Sequence, residues 1–189
     1  CISLKFIYMP ETITRIGGYT FSFCEALESI ELPQGLNAIT YQMFYDCKSL
    51  TKVEIPDGVE RICAKAFSGC KSLQHVYLPD SVTEIGCDAF AGCKCLKDFD
   101  IPNKVTCIDE RTFSGCFHLK SISIPNSVSD ICYDAFSSCY ALSSINIPDS
   151  ITKIGSFAFH NCHSLVTIKI PKSVTELGSL VWANCSSLQ

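Results

Sequence analysis

The sequence predicts a solenoid of about eight stacked 23-residue units, and two spacings carry this prediction. Its eight prolines follow one another at a constant 23-residue interval without a slip: Pro10, Pro33, Pro56, Pro79, Pro102, Pro125, Pro148 and Pro171. Nine of its fourteen cysteines keep the same interval: Cys1, Cys24, Cys47, Cys70, Cys93, Cys116, Cys139, Cys162 and Cys185. Self-similarity at a fixed interval indicates that the units fold alike and stack on one another.

Each unit contains a strand followed by a turn. The segment from Leu73 to Leu78 has the pattern L-x-x-V-x-L, and its last apolar positions alternate as in a strand. Pro79 ends that strand because it has no N–H to donate to a ladder. Phe67, Cys70 and Leu73 recur every three residues, which is typical of a 3₁₀ segment or short turn with one inward side. With its 23-residue period, the pattern predicts a right-handed leucine-rich-repeat horseshoe of the α/β class. Its parallel sheet should lie on the concave face, with short turns or 3₁₀ segments on the convex side.

One aromatic residue recurs in the same column of each unit. A single unit cannot bury its own apolar stripe, so this column should form the spine of a shared core. Its members are Phe21, Phe44, Phe67, Phe90, Phe113, Phe136, Phe159 and Trp182. Residues 1–189 should therefore form a single domain. Both ends fall inside a unit, so we expect a piece of a longer repeat protein whose open edges allow end-to-end self-association.

The cysteines divide into two groups. The nine periodic ones lie among inward Phe and Leu residues, so we expect them to pack as unpaired thiols. The other five are Cys63, Cys87, Cys95, Cys107 and Cys132. Three of these lie at related turn positions, and we expect Cys63, Cys87 and Cys107 to approach one another. A Cys63–Cys87 disulfide stays open as an alternative in an oxidising compartment. Cys95 is expected to be the most exposed thiol.

Composition and motifs argue against several classes of function. The formal net charge is −4 and the basic residues are scattered, so no basic stripe favours nucleic acid. No run of 18 apolar residues predicts a transmembrane segment in this chain. The triplet His160-x-Cys162-His163 is a poor zinc site because Cys162 belongs to the core column. Without a phosphate loop, an H-E-x-x-H motif or a catalytic triad, the sequence predicts no enzyme, cofactor or metal site.

The residues that flank the inward positions of each strand should face outward in parallel columns. The early and middle units carry acidic and aromatic residues there, a composition found at protein interfaces. The predicted partner-binding residues are Phe6, Tyr8, Glu31, Lys52, Glu54, His75, Tyr77, Asp98 and Asp100. The alternative is an ordinary solvated sheet, which also exposes polar side chains.

The unit I-P-x-S-V-T-x-I-G-x-x-A-F-x-x-C-x-x-L-x-x-I describes Ile147 to Ile168 and, with small changes, Leu78 to Phe99. It resembles the BspA-like, or Treponema-type, leucine-rich repeat, and the resemblance covers the whole chain. The departures are Thr40, Cys63, Asp109 and Cys132 in place of Gly, and Trp182 in place of Phe.

The resemblance implies a function in recognition. Proteins of that kind are mostly secreted or on the cell surface, and several act in adhesion. We therefore expect an extracellular module that binds a protein of a host, a neighbouring cell or the matrix. A structural spacer and an intracellular, cytoplasmic scaffold without a dedicated ligand site remain as alternatives. A wholly reduced cysteine set would favour the scaffold.

Overall fold

The computed structural model describes all 189 residues and shows a solenoid of parallel strands without any helix. Twelve strands of two or three residues follow in chain order: β1 (Ser29–Ile30), β2 (Ala38–Ile39), β3 (Lys52–Glu54), β4 (Arg61–Ile62), β5 (His75–Tyr77), β6 (Glu84–Ile85), β7 (Asp98–Asp100), β8 (Cys107–Ile108), β9 (Ser121–Ser123), β10 (Asp130–Ile131), β11 (Lys153–Ile154) and β12 (Glu176–Leu177). No helix in the structure is long and apolar enough to cross a bilayer.

The strands form two rows along the solenoid. The first row contains β1, β3, β5, β7 and β9, which precede the prolines, and the Ser144–Thr167 bridge lies further along it. The second row, β2, β4, β6, β8, β10, β11 and β12, follows the prolines. Every pairing is parallel with a 23-residue register, for example Lys52 opposite His75. The confirmed solenoid thus has one strand row that the sequence predicts and a second that it does not.

The number of turns is smaller than the number of prolines suggests. Seven second-row strands recur from Ala38 to Leu177, and seven strands separated by full turns delimit six turns. The segment before Ser29 contains turns but no strand. The return arms are successive turns without 3₁₀ segments.

Seven phenylalanine rings form a continuous stack through the core. All are buried, and consecutive rings lie 5.2–5.8 Å apart between centroids with interplanar angles of 2–12°. Phe99 packs edge-on against both Phe90 and Phe113. The stack follows from the register, since each ring lies one full period from the next and the ladder places such residues side by side.

Trp182 departs from this column. It is only partly buried against the core, and its indole Nε1 is enclosed without a hydrogen-bond partner. The prediction that it belongs to the core spine is therefore only partly right. The reason is its position at the end of the column, where the ring packs against one neighbouring turn instead of two.

The periodic cysteines serve as hydrogen-bond donors as well as packing groups. The thiol of Cys70 donates to the carbonyl of Phe44 at 3.1 Å, and Cys116 donates to Phe90 at 3.3 Å. The same contact recurs from Cys47 through Cys185, always to the phenylalanine 26 residues earlier. Burial raises the pKa of the Cys47 thiol to about 12, so this thiol stays protonated at neutral pH.

Two positions in every unit adopt a left-handed backbone. One column is Tyr19, Gln42, Lys65, Asp88, Arg111, Asp134, Phe157 and Leu180, and the other is Phe23, Asp46, Gly69, Gly92, Gly115, Ser138, Asn161 and Asn184. The amide of Phe67, between two such residues, donates to Ala89 of the next turn at 2.8 Å. Inter-turn hydrogen bonds of this kind stabilise the strained conformation of the non-glycine residues.

Candidate protein-binding face and cysteine cluster

The outward side chains of the first row form one side of the solenoid. In β3, β5, β7 and β9 the central residue is buried and its neighbours point outward, because successive side chains of a strand alternate. We call the nine residues of this side that the sequence predicts for binding the first-row face: Phe6, Tyr8, Glu31, Lys52, Glu54, His75, Tyr77, Asp98 and Asp100. Eight of them are exposed, and His75 is half-buried.

The register brings some of these residues together and separates others. Lys52 lies opposite His75, and Glu54 lies opposite Tyr77. Tyr8, which is 90% exposed, and Tyr77, which is 66% exposed, are three units apart, or about 14 Å at a strand spacing of ~4.8 Å. Phe6 and Tyr8 also precede the first strand. The face is therefore an extended surface with separate aromatic groups, not one aromatic patch.

Two shallow depressions lie on this side, on either side of Tyr77. The first has a volume of about 420 Å³ and is lined by Glu11, Glu31, Glu54 and Lys52, among others. The second, of about 320 Å³, is lined by two carboxylates and neighbouring polar groups: Asp98, Asp100, Ser121, Ser123 and Asn146. The ring of Tyr77 thus lies between two acidic depressions.

The electrostatics of the first-row face are dominated by carboxylates. Its four acidic residues and one lysine give a net charge of −3 with histidine neutral, from −4 and +1. The hydrogen bond and charge of Glu54 raise the pKa of Lys52, and Lys52 in turn lowers the pKa of Glu54. Asp98 accepts a hydrogen bond from Ser121 Oγ at 2.7 Å. Glu31 and Asp100 form no such ion pair within the chain, so their charge is free to act on a partner.

The turn side carries an aromatic stack that is not predicted from the sequence. Phe117 stacks on Tyr140 at 4.5 Å and Tyr140 on His163 at 5.0 Å, while the Lys94 ammonium lies 4.8 Å from the Phe117 centroid. These four residues share the 23-residue period, which is the signal that identifies such a column. His163 is thus part of a stack rather than of a zinc half-site, and its Nδ1 lies 3.0 Å from Asn184 O.

The expected arrangement of the non-periodic cysteines is wrong. All fourteen cysteines are free, so no disulfide joins Cys63 to Cys87. These two are 24 residues apart, one position out of the 23-residue register, so the ladder does not place them side by side. The thiol of Cys107 instead meets that of Cys132, at a sulfur–sulfur distance of 3.3 Å. Cys95 is half-buried, and the exposed thiol is Cys1.

Asp109 completes a cluster with these two cysteines. One potential ligand atom from each of Cys107, Asp109 and Cys132 lies within 4.8 Å of the others, and all three residues are half-buried. Burial raises the pKa of Asp109, and the nearby charges of Glu84 and Glu110 act in the same direction. The sequence predicts no metal-ligating set here because the three residues share no recognised spacing.

The fold and repeat match known proteins along the whole chain. The family profile described as "BspA type Leucine rich repeat region" matches in six copies, over residues 1–120 and 60–189. The leucine-rich-repeat protein of T. pallidum is 30% identical with a TM-score of 0.80, over 85% of this chain and 78% of that one. A leucine-rich-repeat protein from Bacteroides ovatus is 26% identical with a TM-score of 0.76, over 97% of this chain and 62% of that one.

A leucine rich cell surface protein from Faecalibacterium prausnitzii is also similar. It is 26% identical, with a TM-score of 0.68, over 99% of this chain and 75% of that one. No protein of curated function is significantly similar in sequence. The two overlapping profile matches together span residues 1–189, in agreement with the unbroken register of the strands. The chain therefore belongs to the family of BspA-type leucine-rich-repeat proteins.

Proposed function

We propose that the chain is a non-catalytic module that binds a basic segment of a partner protein through the first-row face, at a cell surface. The observation that carries the proposal is the pair of acidic depressions on either side of Tyr77. An exposed aromatic ring offers apolar area with a polar end, and carboxylates on both sides attract cationic side chains.

The spacing of the depressions sets the form of the partner. The carboxylates that line them are centred about three turns apart, from the turn of Glu31 to that of Asp100, or about 14 Å at ~4.8 Å per turn. An extended peptide rises ~3.3 Å per residue, so basic side chains about four residues apart reach both depressions. A partner segment with two such basic residues and an apolar side chain between them fits this surface.

The location rests on similarity. A solved structure with 26% identity is described as a leucine rich cell surface protein, and it covers 99% of this chain. That likeness supports placement at the cell surface, where a face of this kind meets proteins of a host, a neighbouring cell or the matrix. The free thiols also fit an intracellular scaffold.

A peptide array tests the proposal. Extended peptides with Lys or Arg at positions i and i+4 around a Leu or Tyr should bind the purified chain more tightly than scrambled peptides of the same composition. Raising the salt concentration should weaken binding, because exposed charges are screened. Equal binding of acidic and basic peptides would contradict the proposal.

Matched variants locate the binding surface. The variant Glu54→Gln, Tyr77→Ser, Asp100→Asn should weaken binding of the best peptide at least tenfold. The control Glu60→Gln, Glu110→Gln, Tyr133→Ser removes the same charge and one aromatic ring from exposed positions outside the first-row face. Equal losses in both variants would show that net charge alone, and not this face, drives binding.

A further inference from the structure

We propose that Cys107, Asp109 and Cys132 form a binding site for a thiophilic divalent cation of the Zn²⁺ class. The site belongs to the second strand row, so it is distinct from the first-row face and independent of the proposed function. Three observations support it: the convergence of the ligand atoms, the charge around them, and the departure of these positions from the repeat.

The ladder makes the three side chains converge. Cys107 in β8 is opposite Asp130 in β10, and the amide of Cys132 donates to Ile108 O at 2.9 Å, so the ladder continues past both strands. Cys107 begins β8 and Asp109 directly follows that strand, so the two residues are two positions apart and point to the same side. Cys132 lies one full period after Asp109, directly beside it on the next turn.

The distances suit a small four-coordinate ion. Zinc binds thiolate sulfur at ~2.3 Å and carboxylate oxygen at ~2.0 Å in tetrahedral geometry, which places two sulfurs about 3.8 Å apart. The Cys107 and Cys132 sulfurs are 3.3 Å apart, and the three ligand atoms lie within 4.8 Å of one another. A small rotation of one thiol completes the geometry and leaves a fourth position for water.

The surrounding charge favours a cation. The carboxylates of Glu84 and Glu110 act on Asp109, and those of Asp130 and Glu110 act on Cys132. The nearest basic side chains along the ladder are engaged elsewhere. Lys153 pairs with Glu176 at 3.3 Å, and Arg111 binds Asp88 through two nitrogens at 2.8 and 3.1 Å.

The three residues also break the repeat. The column of Asp109 and Cys132 carries glycine in four other turns, at Gly17, Gly86, Gly155 and Gly178. The column of Cys107 carries a charged residue in six other turns, at Arg15, Arg61, Glu84, Asp130, Lys153 and Glu176. Cys63 belongs to the first of these columns, but its counterpart on the next turn is Gly86. The Cys107, Asp109 and Cys132 cluster is the only place where three such side chains bring ligand atoms within 4.8 Å of one another.

A disulfide fits this arrangement less well. Cys107 and Cys132 are diagonal across the ladder, one turn and two positions apart, which places their Cα atoms about 8 Å apart at the usual strand dimensions. Disulfides need Cα atoms within roughly 7 Å. The pair can therefore share an ion without backbone movement but cannot form a relaxed covalent bridge.

Titration of the reduced full chain with Zn²⁺ by calorimetry tests the proposal, with Co²⁺ as a spectroscopic probe. We expect one equivalent to bind and Co²⁺ to give a thiolate-to-metal charge-transfer band. Cys107→Ser and Cys132→Ser should each weaken Zn²⁺ binding about 100-fold or more and remove the band, and Asp109→Asn should weaken binding about tenfold.

Two further variants keep the result interpretable. Cys132→Gly installs the residue that other turns carry at this position, so loss of Zn²⁺ binding in that variant does not reflect misfolding. Cys63→Ser removes a half-buried thiol outside the cluster and should leave binding unchanged. The proposal is overturned if the reduced chain takes up no Zn²⁺, or if Cys63→Ser lowers the affinity as much as Cys107→Ser. Absence of Zn²⁺ binding, together with formation of a Cys107–Cys132 disulfide when a low-molecular-weight disulfide is added, would instead identify the pair as a redox-active dithiol.

Discussion

Truncation of Phe90 to alanine tests how the stacked core stabilises the chain. Phe90 is fully buried in the middle of the stack, 5.4 Å from Phe67 and 5.8 Å from Phe113 between ring centroids. It also packs edge-on against Phe99 at 4.9 Å. Replacing a buried phenylalanine with alanine costs about 3–5 kcal/mol. Because Phe90 loses three aromatic contacts, each worth about 0.5–1.5 kcal/mol, we expect about 4–5 kcal/mol.

Urea unfolding followed by circular dichroism measures this loss. The matched control is Glu54→Ala with Tyr77→Ala, which removes exposed side chains from the first row and should cost less than about 1 kcal/mol. Trp182→Ala, at the partly buried end of the column, should cost less than Phe90→Ala. If the surface pair destabilises the chain as much as Phe90→Ala does, the assignment of inward and outward sides is wrong.

Three other outcomes follow from the structure. Cys116→Ala should destabilise the chain by about 1–2 kcal/mol in urea unfolding, because it leaves a small cavity and removes the thiol donor to Phe90 O; no loss would contradict the donor role. Ser138→Gly should raise stability by about 0.5–1 kcal/mol, because Ser138 has a φ of 61° that glycine adopts without strain; a lower melting temperature would refute this. The melting temperature should fall as pH rises above about 9, since unfolded thiols ionise near the reference pKa of 9.0 while burial keeps the pKa of Cys47 at about 12. This stabilisation is complete below pH 9 and is lost towards pH 12, so a melting temperature that is constant over that range would contradict it.

The sequence predicts the stacked architecture because the period is visible in residues whose role is the same in every turn. Pro79 ends a strand, Phe90 fills the core and Cys93 packs beside it, and each has a counterpart one period away. The second row is harder to detect. β6 consists of Glu84 and Ile85 alone, and two residues are too few to show the alternation that identifies a strand.

The cysteine cluster depends on how residues of different repeat columns are placed relative to one another. The periodicity of a single column does not show this. Cys107 and Cys132 belong to different columns. They meet because Cys132 follows Cys107 by one full turn and two further positions, which places the two residues diagonally across the ladder. The left-handed backbone positions cannot be predicted from residue type either, since Tyr19 and Phe23 are not glycines and are not typical turn residues. The first-row face is accessible to sequence reasoning because outward positions follow directly from strand alternation.

Hydrogen-bond scalar couplings measured by NMR test the stacking of turns most directly. The structure has Phe44 N–H bonded to Ala66 O, Phe67 N–H to Ala89 O and Phe136 N–H to Ala158 O, each at 2.8 Å between nitrogen and oxygen. We therefore expect each of these amide nitrogens to couple to the carbonyl carbon of its alanine partner on the next turn. Couplings to carbonyls within the same 23-residue unit instead would contradict the stacked solenoid.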